Sequence, residues 1–370
     1  MASTQSAEVK KGNTRPDLGL IFSAVPAVAA GVFTRNLVKA APIQINLKRI
    51  VKQTGRAILV NSGNANACTG PAGLKDAQRL SRQISQALAI PDSQVFLAST
   101  GVIGKRLPMT RMTTAVPSLI QSLSPHGLPK VSEAIMTTDT FPKLISEEIV
   151  IGKKKVHLVG MAKGAGMMHP NMATMLCFVL TDLAVSPALL YHFLKKATDQ
   201  SFHRITVDGD TSTNDMVLVL ANGLAGNGDL NREDHEAFQR GLTSVMDDLA
   251  TMIVKDGEGA TKVVRILVKG AASGPDAETA ARTIANSSLD KTAFYGQDPN
   301  WGRIMAALGR SEIRMKEEDV SIFINDIQIV EGGLGKGADA EKAAAELMKQ
   351  DGFDLTVDLR QGKHEDRMVT

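Results

Sequence analysis

Five apolar runs, each the length of a strand, constrain most strongly what this chain can fold into. They are residues 56–61 (RAILVN), 95–99, 175–180, 216–220 and 263–268. Such short, continuous apolar runs read as strands covered on both faces. Between them lie segments with helical spacing. Leu74, Ala77, Leu80, Ile84, Ala87 and Leu88 share one face, as do Leu242, Val245, Leu249, Met252 and Ile253. Ser186-Pro187 reads as an N-cap and first-turn pair before Leu189, Leu190, Phe193 and Leu194. Residues 277–285 and 338–348 also read as helices, and 320–324 as a strand. Residues 149–151 and 156–159 flank Gly152-Lys153 and predict a hairpin. Helices and strands mixed in this way predict an α/β fold of stacked layers. A cluster of Gly, Ser and Pro at 270–275 suggests a main domain over 1–270 and a smaller one over 271–370.

Composition removes several function classes. The 370 residues carry 42 basic and 39 acidic side chains, and the longest basic run is Lys153-Lys154-Lys155. That gives no clustered basic face for nucleic acid. Aromatic residues are only 4%, too sparse for base-stacking platforms. The two cysteines, Cys68 and Cys177, have neither disulfide nor zinc spacing, which predicts a reducing, cytoplasmic setting. Residues 18–33 are nearly all apolar and follow Lys10, Lys11 and Arg15, as in a secretory signal. Asp17 abuts the run, Pro26 interrupts it, and it is too short to span a bilayer. The reading is a buried strand with a turn at Val25-Pro26, in a soluble protein without a membrane partner.

Phosphate-loop look-alikes fail on spacing. Neither Gly101-Val102-Ile103-Gly104-Lys105 nor Gly332-Gly333-Leu334-Gly335-Lys336 has four residues before a Gly-Lys-Ser/Thr end, and both read as turns. Gly257-Glu258-Gly259 lacks the strand–helix frame of a dinucleotide site. The seven histidines show no His-Glu-x-x-His spacing, so no metal and no cofactor is expected. His169, beside Pro170, is either a structural histidine or a catalytic one.

The richest segment is 160–180, where a Gly-rich stretch delivers Ala173 and Thr174 to an apolar strand. Spacing alone favours a plain loop-to-strand junction. The chemical alternative is a threonine nucleophile. A threonine at a chain start carries its own base, its α-amine. Near pH 7.5 an amine of pKa about 7.7–8.0 is roughly a third neutral, against ~0.1% for a lysine. Thr174 is internal, so this chemistry requires a cut between Ala173 and Thr174.

The stretches Lys163-Gly164-Ala165-Gly166-Met167 and Asn171-Met172-Ala173-Thr174-Met175-Leu176 resemble the processing site of ornithine acetyltransferase, also called glutamate N-acetyltransferase. Further matches run in order along the chain. They include Asn61-Ser62-Gly63-Asn64-Ala65-Asn66-Ala67-Cys68-Thr69-Gly70, Ser99-Thr100-Gly101-Val102-Ile103-Gly104 and Thr137-Thr138-Asp139-Thr140. Later come Thr206-Val207-Asp208-Gly209-Asp210-Thr211-Ser212-Thr213-Asn214-Asp215, Lys255-Asp256-Gly257-Glu258-Gly259 and Asp298-Pro299-Asn300-Trp301-Gly302-Arg303.

The resemblance implies a layered α-β-β-α sandwich of the amino-terminal-nucleophile-like kind, with a smaller C-terminal α/β part. It implies self-cleavage into an alpha chain, 1–173, and a beta chain, 174–370, assembled as two alpha and two beta chains. Thr174 is then the nucleophile that carries acetyl from N2-acetylornithine to glutamate, with acetyl-CoA as a further donor in some members. Thr100 and Gly101 match the oxyanion hole. Thr137, Lys163, Thr174 and Glu258 match substrate contacts. Acyl transfer needs such donors, and Lys163 suits a substrate α-carboxylate. Glu258 suits either the ornithine ammonium or the Thr174 amine. Without the family, Thr100-Gly101 reads equally as a β-turn and Thr137 as a helix cap. Residues 208–215 read as support for the site or as an Asx-rich loop. Family chains continue past the stretch matching Val369-Thr370, and their apolar opening strand is reduced here to residues 1–9, so part of the acceptor pocket is expected to be missing. The rival readings are an amino-terminal-threonine hydrolase or aminopeptidase, and an inactive family member.

Overall fold

The computed structural model describes residues 1–9, 15–167 and 175–370. The mixed α/β class expected from the sequence is what it shows. Two compact units form, one from 1–203 with 210–256 and the other from 204–209 with 257–370.

Among the described residues the first unit has eight strands. They are β1 Ala2–Gln5, β2 Leu18–Phe33, β3 Thr54–Asn61, β4 Val95–Ser99, β5 Lys143–Ile151, β6 Lys154–Lys163, β7 Leu176–Thr181 and β8 Met216–Ala221. Its helices are α1 Ala41–Arg49, α2 Gly70–Leu88, α3 Met109–Gln121, α4 Leu128–Ala134, α5 Pro187–Gln200 and α6 Arg232–Lys255. One sheet runs β4-β3-β2-β8-β7-β6-β5, with β1 paired to β2 beside it. The β3–β4 and β7–β8 pairs are parallel. They are linked through α2 and α5, because a parallel pair needs a crossover. The apolar runs are buried on both faces, as their continuous character requires. Leu59 and Leu97 pack with Leu80 of α2 and Val116 of α3, whereas Ile58, Val60 and Phe96 pack with Val131 of α4 and Ile43 of α1. Each such side chain contributes roughly 1.5–3 kcal/mol by burial.

The expected turn at Val25-Pro26 is instead an irregularity inside β2. The β2–β3 ladder breaks between Phe22 and Ala27, then resumes. Proline lacks the N–H that a ladder needs, so it sits where the pairing lapses. The expected hairpin at Gly152-Lys153 forms from β5 and β6. Ser186 caps α5, its hydroxyl accepting the Leu189 N–H.

The second unit holds β9 Val263–Ala271, β10 Ser321–Ile324, β11 Ile327–Glu331, β12 Leu334–Gly335, β13 Gly352–Asp358 and β14 His364–Val369. Its helices are α7 Gly274–Ala285, α8 Ser288–Tyr295, α9 Trp301–Gly309 and α10 Ala338–Leu347. The sheet order is β12-β11-β10-β13-β9-β14. Ile266 and Val268 of β9 share a core with Leu355 and Val357 of β13 and with Ala281 and Ile284 of α7. The compact units therefore divide at Asp256/Gly257 and not at the Gly-Pro cluster near 270. β9 hydrogen-bonds to β13 and β14, which binds it to the second sheet. The Gly332-Gly333 look-alike is the turn between β11 and β12, both glycines having positive φ.

Candidate active site

The site grows from the ends of β4 and β6 in the first unit. β3 and β4 finish together, Asn61 opposite Ser99. Their ends are tied by Ser99 Oγ donating to Asn61 Oδ1 at 2.6 Å and by Thr100 N–H donating to Asn61 O at 3.0 Å. Asn214 Nδ2 donates to both Ala65 O and Ser99 O at 2.7 Å. The next peptide turns sharply, and Gly101 has φ +127. A Cβ there would lie 2.3 Å from the Gly63 carbonyl carbon, so only glycine fits. Among the described residues no backbone acceptor takes the Gly101 N–H.

Lys163 ends β6 and is 2% exposed. Its Nζ donates to Thr137 Oγ1 at 2.8 Å and to Thr100 Oγ1 at 3.4 Å. Both hydroxyls therefore accept from the ammonium, which leaves their own hydrogens free to donate elsewhere. Thr137 is not a helix cap, since α4 ends at Ala134. Burial pushes the Lys163 ammonium below the usual lysine range, and Asp139 opposes that.

Behind Lys163 lies a charge cluster that no motif pointed to as such. Asp139 Oδ2 is 3.6 Å from Lys163 Nζ and accepts the Thr137 N–H at 3.0 Å. Its Oδ1 accepts from Lys143 Nζ at 2.8 Å and from the Gly164 N–H at 2.7 Å. Lys143 Nζ also meets Asp256 Oδ2 at 2.5 Å, and Asp256 accepts the Thr140 N–H. Burial alone would raise the Asp139 carboxyl, but Lys163, Lys143 and two hydrogen bonds hold it at about 2. The cluster thus fixes Thr137, Lys163 and Gly164 together. Asp139 and Asp256 stand in stretches that carry the family resemblance, whereas Lys143 stands in none of them.

The sequence-derived residues Thr100, Gly101, Thr137 and Lys163 gather in this unit. Glu258 belongs to the second unit, exposed in a turn closed by Ala260 N–H donating to Gly257 O. Ala173, Thr174 and His169 lie outside the described residues. Strand register still anchors the chain just after Thr174. Leu176 pairs with Lys163 on one side and with Met216 on the other, so the proposed nucleophile lies two residues from the strand position beside Lys163. The arrangement offers an amide N–H and a hydroxyl at the end of β4 and a cation at the end of β6, a set suited to an oxyanion and a carboxylate.

The model of the ArgJ family matches residues 1–370. The arginine biosynthesis bifunctional protein ArgJ of Geobacter sulfurreducens is 47% identical over 97% of this chain and 92% of its own length. Its counterpart in Syntrophotalea carbinolica is 47% identical over 97% of this chain and 91% of its own. Among solved structures, the arginine biosynthesis bifunctional protein of Bacillus halodurans is 41% identical with a TM-score of 0.50, covering 52% of this chain and 91% of its own.

Proposed function

The chain belongs to the ArgJ family, and from that premise we propose that it is a self-processing threonine acyltransferase that moves acetyl from N2-acetylornithine to glutamate. The observation that carries this reading is a pair of donors, Gly101 N–H and Thr100 O–H, to which no acceptor is given among the described residues, beside the buried Lys163. In processing, Thr174 Oγ attacks the Ala173 carbonyl carbon. The Oγ–C bond forms, the C–N bond breaks, and the hydroxyl proton passes to the released nitrogen. Water then hydrolyses the ester to an Ala173 carboxylate and a free Thr174 hydroxyl.

In transfer, the Thr174 amine takes the hydroxyl proton as Oγ attacks the acetyl carbonyl, and gives it to the departing ornithine nitrogen. The glutamate amine attacks the acetyl-threonine, and the steps reverse. Thr100 and Gly101 donate to the oxyanion in both halves. Lys163 and Thr137 receive the α-carboxylate that both substrates share. The two products remain together as alpha–beta pairs, two per assembly. Acetyl-CoA serves as a second donor of the same acetyl group, and the free thiols Cys68 and Cys177 fit a cytoplasmic protein.

Intact mass spectrometry and a transfer assay test this. The purified protein should give a fragment beginning Thr174-Met175-Leu176, and Thr174→Ala should abolish cleavage and transfer. A single full-length band would refute the processing step. Acetate release independent of glutamate would replace the transferase with a hydrolase.

A further inference from the structure

Asp215 is a buried carboxyl that the proposed mechanism does not use. It immediately precedes β8, and the parallel register that sets Leu176 opposite Met216 sets Met175 opposite Asp215. The Met175 N–H donates to Asp215 Oδ1 at 2.9 Å, and the Met216 N–H returns to Met175 O at 3.1 Å. The carboxyl is 0% exposed, and its Oδ2 has no hydrogen-bond partner among the described residues. Its backbone is held as well. Asp215 O accepts the Thr34 N–H at 3.0 Å, and Thr34 Oγ1 donates to Ser212 O at 2.7 Å. A buried carboxyl with one oxygen unpaired costs stability. Burial pushes the Asp215 acid upward; the Met175 N–H, Ser212 and the charge of Lys163 on β6 oppose this. The residue is therefore retained at a cost, at the one backbone N–H that follows Thr174.

We propose that Asp215 is the positioning residue for the Thr174 nucleophile, acting through its hydrogen bond to the Met175 N–H. The inference rests on Thr174 being that nucleophile. The peptide group is planar, so fixing the Met175 N–H fixes the plane that contains the Thr174 Cα. Before cleavage Thr174 is tethered on both sides. After cleavage it is tethered only through this peptide unit, so an acceptor on that N–H governs where the hydroxyl and amine stand. A displacement of about 1 Å costs on the order of 100-fold in rate.

The test compares full-length Asp215→Val, Asp215→Asn and Asp215→Glu with the parent and with Thr174→Ala. Cleavage is followed by mass, kcat and KM by the transfer assay, and folding by thermal melting. Asp215→Val, which cannot accept the N–H, should lose roughly 100-fold in kcat at a KM within about threefold of the parent. Asp215→Asn keeps an acceptor oxygen and should recover kcat to within about tenfold. A folded Asp215→Val with parental cleavage and kcat, or a change confined to KM, overturns the proposal. If Asp215→Val does not fold, Asp215→Glu decides. It moves the acceptor by one methylene, so a kcat loss of about tenfold or more at unchanged KM supports the role, and parental kcat refutes it. Transfer by Thr174→Ala would instead remove the nucleophile assignment, whatever the Asp215 variants do.

Discussion

Asp139 in the first unit and Asp290 in the second are both buried carboxylates, with opposite surroundings. Asp139 has Lys143 and Lys163 within reach and two backbone N–H donors, and it is held at about 2. Asp290 sits in the first turn of α8, where its backbone N–H donates to Ser287 Oγ. Burial pushes it up to about 6 against the pull of Ser287, Arg310 and Arg303. Two residues of one type thus acquire proton affinities several orders of magnitude apart. The deciding factor is whether the fold brings cations to the carboxylate, not the depth of burial. Asp139 is a fixed anion that holds substrate-facing groups in place. Asp290 is a stability liability with no role at the site described.

The largest test of that contrast is Lys143→Met. It would leave Asp139 and Asp256 buried with their shared cation gone, which should cost roughly 3–5 kcal/mol by chemical denaturation. A loss below about 1 kcal/mol would mean that the cluster is effectively solvated. Next comes Thr100→Val, which removes one proposed oxyanion donor and should lower kcat by roughly 100- to 1000-fold while melting unchanged. An unaffected kcat would leave Lys163 and Gly101 as the only groups acting at that strand end.

Third is the pH dependence of the two carboxylates. The folded value of Asp290 is raised from 3.8 to about 6. Its penalty is therefore absent below about 4, grows as pH rises, and is complete above about 6. Asp290→Asn should accordingly stabilise the protein by about 2–3 kcal/mol at pH 8 and by nothing at pH 4. The folded value of Asp139 is lowered from 3.8 to about 2. Its contribution is present above about 4 and is lost as pH falls through about 2, so the acid limb of the parent's melting profile should persist in Asp290→Asn. A gain that does not vary with pH would show that folding does not shift the Asp290 carboxyl. The smallest effect should come from Arg232→Ala, which breaks the exposed pair with Glu236 on α6. It should change stability by no more than about 0.3–0.5 kcal/mol, a baseline for the buried pairs.

Much of the fold was legible because local rules and packing agree. The runs at 56–61, 95–99, 175–180 and 216–220 became β3, β4, β7 and β8, since a continuous apolar stretch is stable only with both faces covered. Ser186 capped α5 as its sequence suggested. Reading failed where pairing partners decided the outcome. Pro26 interrupted a ladder without ending its strand, and β9 fell on the far side of the expected boundary because its partners are β13 and β14. At the site, Thr100-Gly101 and Lys163 were found through motif resemblance. The Lys143–Asp256 pair was not, because its members lie 113 residues apart and neither stands in a pattern that announces the other.

The sequence by itself determined most of the strands and helices and the order of the motifs along the chain. Periodicity, steric size and chain order are local properties, and each is written in a few adjacent residues. Only the tertiary structure decided which of the 39 acidic side chains depart from ordinary behaviour. A carboxylate's proton affinity is set by the charges and donors within a few ångströms, and the end of β6 had to pack beside Asp139 before Lys163 and the Gly164 N–H reached it.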